Sequence, residues 1–165
     1  MSTDVIAPDD VGAAFREAMA HVCAPVVVVT AFDGQRPHGT TVSAFMSLSM
    51  GPPMIAVALD RASAVLELIR MGQRFAINVL AAAHSDLALN FARKGDDKFE
   101  RVAWHSRSEL PALDGAGGWV ACEAASFVDG GDHTMVFGVV IDAAHEALAP
   151  LTYHKRSFGT HKEWA

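Results

Sequence analysis

Apolar positions along this chain recur at two periods, and the switches between them mark out its elements. Over residues 10–22, Val11, Phe15, Ala18, Met19 and Val22 fall at helical spacing, with Asp9 and Asp10 placed to suit the positive end of a helix. Pro25 ends that helix. Residues 26–32 are an almost unbroken β-branched run that meets Asp33-Gly34, which predicts a buried strand closing in a hairpin turn. A second strand is expected over about residues 38–45.

Gly51-Pro52-Pro53 interrupts regular structure, and residues 54–60 read as a further apolar strand. A short helix over 63–71 is predicted from Val65, Leu66 and Ile69, then a strand over 75–80. A second short helix follows over 85–92, with Leu87, Ala88 and Phe91 on one face. The stretch 93–115 is polar and turn-rich. Residues 119–128 and 133–145 are two long strand candidates, and Asp129-Gly130-Gly131-Asp132 between them predicts a hairpin. At least six strands with two or three short helices, and no regular strand-helix alternation, predict a mostly β fold: an antiparallel barrel with appended helices.

Composition sharpens this picture. A chain of 165 residues, 51% hydrophobic and 19% charged, is long enough for one domain, residues 1–165, and is too apolar for disorder. Thirteen Lys and Arg against nineteen Asp and Glu leave a net charge of −6 with no basic run, which argues against nucleic-acid binding. No apolar stretch approaches the ~18 residues of a membrane span. The acidic start MSTDVIAPDD lacks the basic-then-apolar order of a leader, so the expectation is a cytoplasmic protein. Cys23 and Cys122, far apart among small apolar neighbours, read as buried reduced thiols. Eight scattered histidines never cluster with cysteine, so no metal site is expected.

Three segments could carry chemistry. Residues 40–49 interleave hydroxyls with apolar side chains; a strand followed by a loop there would offer hydroxyls and backbone N–H groups to a planar heteroaromatic ligand, or would be an ordinary strand and loop. Asp60-Arg61-Ala62-Ser63 runs from a strand end into a helix, a seat for phosphate or simple capping by Ser63. Gly130-Gly131-Asp132-His133 places an imidazole beside a carboxylate on a turn, at a barrel mouth or merely in solvent. Neither a GxGxxG nor a GxxxxGK[ST] motif is present, and no GxSxG elbow supports hydrolysis.

In their order, the segments Phe15-Arg16, the strand from Pro25 to Thr30, His38-Gly39 running through Thr40 to Ser49, and Pro52-Pro53 resemble one family. The later matches are Ile77-Asn78-Val79-Leu80, Phe91-Ala92, Lys98-Phe99 with Trp104, Gly130-Gly131-Asp132-His133, and Pro150-Leu151 with Tyr153. The family is that of small flavin:NAD(P)H reductases, which supply reduced flavin to two-component monooxygenases. The resemblance implies an FMN-binding split β-barrel, antiparallel and Greek-key-like, forming a homodimer with flavin sites near the interface. It implies hydride transfer from NADH or NADPH to N5 of FMN or FAD, and a separate flavin-dependent monooxygenase as partner.

Carried onto this chain, Thr41, Val42, Ser43, Ser47, Leu48 and Ser49 would line the isoalloxazine ring. Asp60, Arg61 and Ser63 would hold the ribityl-phosphate end, and Asn78 and Leu80 would support the flavin. Phe91 is counted with these cofactor contacts. So is His84, at a position where many members carry glutamine. His133, the catalytic candidate, would sit where nicotinamide stacks, and Tyr153 would close the pocket. The Arg-rich ending of many members is reduced to Lys155 and Arg156. Related scaffolds bind flavin tightly and reduce a corrinoid or ferric complex, or serve as non-catalytic flavin or haem modules.

Overall fold

In the computed structural model, residues 8–164 are described; most of the acidic start read as leader-free lies outside them. Helix α1 spans Pro8–Ala20, two residues ahead of its predicted bounds. The short strand β1, Ala24–Pro25, follows, and β2, Val27–Asp33, begins the main sheet. The β-branched run is explained by burial on both sides of β2. Val27 and Val29 face one core cluster and Val26 and Val28 another, so every position is apolar rather than alternate ones. Asp33 pairs with Arg36 across the predicted turn, where Gly34 adopts φ +60°.

The expected strand over 38–45 is two strands. Strand β3 covers Arg36–Val42 and β4 covers Phe45–Met50, with Ser43 and Ala44 between them. Strand β5 follows over Pro53–Asp60, α2 over Ala64–Gly72, β6 over Arg74–Val79, a 3-10 turn over Ala82–His84, and α3 over Ser85–Ala92. The polar stretch 93–115 hides a hairpin, β7 Trp104–Arg107 and β8 Leu110–Leu113. Strands β9, Gly118–Gly130, and β10, His133–His145, form the long hairpin. Its loop is shorter than predicted, because Asp129 and Gly130 stay in register with Thr134 and His133. A final hairpin, β11 Leu151–His154 and β12 Ser157–Thr160, pairs with β1.

The seven-stranded sheet runs β3-β2-β6-β9-β10-β5-β4, antiparallel throughout. Strands β3 and β4 lie at opposite edges of this order yet are joined by only two residues. The sheet must therefore curl until its edges meet, which closes a barrel. The Ala58 N–H donates to the Ala44 carbonyl at 2.9 Å across that junction. Val65, Leu66 and Ile69 of α2 plug the interior with Val57, Leu59, Phe75, Ile77 and Val136. Outside the barrel, α3 covers β2 and β3, while Leu110 and Ala112 of β8 cover Ala76, Trp119 and Ala121.

Both cysteines are free thiols, but only Cys122 is buried; Cys23, expected to be buried, is exposed in the link between α1 and β1. Burial pushes the Cys122 thiol up to about 12.

Candidate functional site

Three separate segments converge where the barrel edges meet. Strand β3 and its exit bring Thr40, Thr41, Val42, Ser43 and Ala44; the end of β5 brings Ala58, Leu59 and Asp60; Ser63 precedes α2 and His133 opens β10. The register sets His133 directly opposite Asp60. Together these residues line a cavity of about 210 Å³. A second cavity of about 460 Å³ shares Thr40, Asp60 and Ser63 and continues past His38, Arg93, Lys98 and Phe99. The larger volume suits a small-molecule or cofactor cleft, and the smaller adjoins it through the shared residues.

Hydrogen bonding distinguishes free groups from spent ones. The Thr41 hydroxyl donates to the Ala88 carbonyl at 2.7 Å, which straps α3 to β3. Asp60 accepts the Ala62 N–H at 2.7 Å, and its carbonyl accepts the Ser63 N–H at 2.9 Å. Ser63 stands at the N-cap of α2 in extended backbone but makes no side-chain capping bond, so the simple-capping alternative lacks its defining contact. Its hydroxyl stays at the cavity wall beside the first turn of α2, whose orphan N–H groups favour anions.

His133 Nδ1 lies 2.7 Å from a carboxylate oxygen of Asp132. A carboxylate only accepts, so Nδ1–H is the donor and Nε2 is left for a ligand. The hydrogen bond and charge of His133 hold the Asp132 carboxyl below its ordinary range. Lys98 donates from Nζ to the carbonyls of Gly39 and Phe91, each at 3.1 Å, and desolvation lowers its pKa.

Other expected site residues stand elsewhere. Asn78, Leu80 and Phe91 are buried and line neither cavity, so any support they give a cofactor passes through the residues that cover them. Asn78 spends its amide inside the core, donating to the Val28 carbonyl and Thr30 Oγ1 and accepting the Leu113 N–H. Phe91 packs closely on Gly39, where a Cβ would come within 2.8 Å of the ring. Arg61 does not line either cavity, since its guanidinium pairs with Asp129 at 3.2 Å. Ser47, Leu48 and Ser49 lie on the edge strand β4, where the register slips between Ser47 and Ser49, outside both linings. His84 closes the 3-10 turn against Gly115, and its buried Nδ1 has no partner among the described residues. Tyr153 packs on Phe158 in the β11–β12 hairpin, 5.3 Å between ring centroids, and lines neither cavity.

Thr40, in the hydroxyl-rich segment 40–49, and Lys98, in the Lys98-Phe99 match, line the larger cavity although neither was assigned a ligand contact from the sequence.

Residues 19–162 match the model of the flavin reductase like domain. The chain belongs to that family. Among curated relatives it is 35% identical over 159 residues to the reductase component of a Rhodococcus opacus 4-nitrophenol 4-monooxygenase/4-nitrocatechol 2-monooxygenase, covering 96% of this chain and 85% of that one. It is 34% identical over 146 residues to an FMN reductase (NADH) of Agrobacterium fabrum, covering 88% and 83%. Some other curated relatives are longer, and the chain spans about half their length. The structure aligns with the NADH:FAD oxidoreductase of Streptomyces globisporus at a TM-score of 0.87 and 27% identity, covering 99% of this chain and all of the other. The barrel whose edges meet at Ser43 and Ala44 is thus the flavin reductase split barrel, as the resemblance implied.

Proposed function

We propose that this flavin reductase domain, read as one unit over residues 1–165, binds FMN or FAD where β3, β5 and α2 meet. NADH or NADPH serves as hydride donor, and reduced flavin passes to a separate monooxygenase in the cytoplasm. The observation that carries the site is the convergence of Thr41, Val42, Ser43, Asp60, Ser63 and His133 on one cavity from three distant segments. The donor set fits a flavin: backbone and hydroxyl groups along β3 suit a planar polar ring, and the uncapped Ser63 with the α2 N-terminus suits a phosphate. Ser47, Leu48, Ser49, His84 and Tyr153 line neither of these two cavities.

A bound flavin supplies the hydride-accepting chemistry. The chain's own task is positioning and exclusion of water. Thr41, tied to Ala88, and Gly39, held by Lys98, keep β3 rigid against the ring. His133, with Nδ1 committed to Asp132, presents Nε2 toward the nicotinamide amide and orients it. The homodimer reading is supported by an apolar outer face on β4 and β10, with Met46 55% exposed and Ile141 41% exposed.

The test is oxidation of NADH and NADPH by the purified protein with FMN, FAD or no added flavin, after recording its visible spectrum. Turnover that scales with added flavin is expected. A yellow protein that turns over without it would overturn the diffusible-flavin reading. His133→Ala is expected to raise the nicotinamide KM by about tenfold and leave the flavin KM nearly unchanged.

A further inference from the structure

The turn that carries His133 contains two adjacent glycines, Gly130 and Gly131, the latter at φ +64°. Glycine pairs leave a turn loose, and a loose turn cannot aim a ring. Yet Arg61 grips this one from two sides. Its backbone N–H donates to the Asp132 carbonyl at 3.0 Å, and its guanidinium pairs with one Asp129 oxygen at 3.2 Å. The other Asp129 oxygen accepts the Thr134 hydroxyl at 3.1 Å. Thr134 is fully buried and its oxygen accepts from Arg70 at 3.3 Å. The turn is thereby bracketed on either side of the glycines and tied to the loop between β5 and α2, which forms the cavity wall.

We infer that Arg61 and Asp129 are positioning residues that aim His133 at the nicotinamide, rather than phosphate ligands. This rests on the reading of His133 given above. An exposed ion pair adds little stability, so its consequence lies in geometry. The grip sets where the His133 ring stands relative to Asp60, directly opposite it in the barrel.

The test is steady-state kinetics on Asp129→Asn, which keeps an oxygen for Thr134 but loses the charge facing Arg61, and on Arg61→Met and Arg61→Lys. Asp129→Asn and Arg61→Met are expected to raise the nicotinamide KM about tenfold with the flavin KM held within about twofold, because a small misplacement of a positioning group is costly. Arg61→Lys should recover most of that loss. In a His133→Ala background the Asp129→Asn effect should vanish, since residues acting through one another are not additive. An undiminished effect in that background, or an equal rise in both KM values, would overturn the clamp. So would a silent Asp129→Asn alongside an effective His133→Ala. If His133→Ala itself leaves the nicotinamide KM unchanged, the His133 reading fails and the clamp fails with it.

Discussion

Asn78 illustrates why polar residues in apolar runs mislead. Between Ile77 and Val79 it invites reading as a ligand contact, yet three of its four hydrogen-bonding capacities are used in the core, joining β2, β6 and the end of β8. Replacing it with Ala leaves the buried Leu113 N–H unpaired. The expected cost is about 1–3 kcal/mol of stability, read from urea unfolding, with the flavin KM of the folded protein unchanged. A raised flavin KM at unaltered stability would return Asn78 to the site. The residues that were legible, Thr41, Asp60, Ser63 and His133, sit at strand ends or turns, where a hydroxyl, carboxylate or imidazole has no packing reason to be. Arg61 was legible as a charge but not as a partner of Asp129, because a contact between positions 68 residues apart leaves no local pattern.

At the scale of elements, β2 and α3 were legible for opposite reasons. The first is apolar without alternation from Val27 to Val29 because both its faces are covered, whereas the second buries one face, that of Ala88 and Phe91. Strands β7, β8, β11 and β12 were not, since four residues are too few to establish a period. Helix α1 was legible, but its anchorage was not. It is held by the Lys155 N–H to the Ala20 carbonyl at 2.7 Å and by Arg156 to Glu17 at 2.7 Å. The Arg156 hydrogen bond and charge hold the Glu17 carboxyl below the ordinary glutamate range. A depressed carboxylate contributes to the folded state above its unfolded pKa and loses that contribution as pH falls through the lowered value. Amide exchange in α1, corrected for intrinsic rate, should therefore show protection that declines as the medium is acidified below the glutamate range. Arg156→Gln should show the same reduced protection at neutral pH. Equal protection in that variant and the parent chain would mean that the Lys155 backbone tie suffices.

At the scale of the whole molecule, the barrel is clothed unevenly. Helix α3 and the β7–β8 hairpin cover β2, β3, β6 and the Gly118 end of β9. The main packing of α3 and of the β7–β8 hairpin falls elsewhere than on β4, β5 and the first half of β10. There Thr134, Val136 and Gly138 turn inward, while Met135, Phe137 and Val139 alternate outward against Ala58, Ala56 and Met54, with Met46 beside Ala56. A net charge of −6 opposes association of copies, so under the proposed homodimer this uncharged apolar face is the seam expected for a second copy. Phe137→Glu places a carboxylate in its middle without disturbing the inward-facing core. Sedimentation should show a dimer for the parent chain and a monomer for the variant, with near-parent circular dichroism. The smaller cavity lies at the junction where β4 leaves Ala44, on the flank of the same face. The variant should therefore also lose affinity for flavin, and a monomer that keeps its flavin KM would place the whole site within one chain.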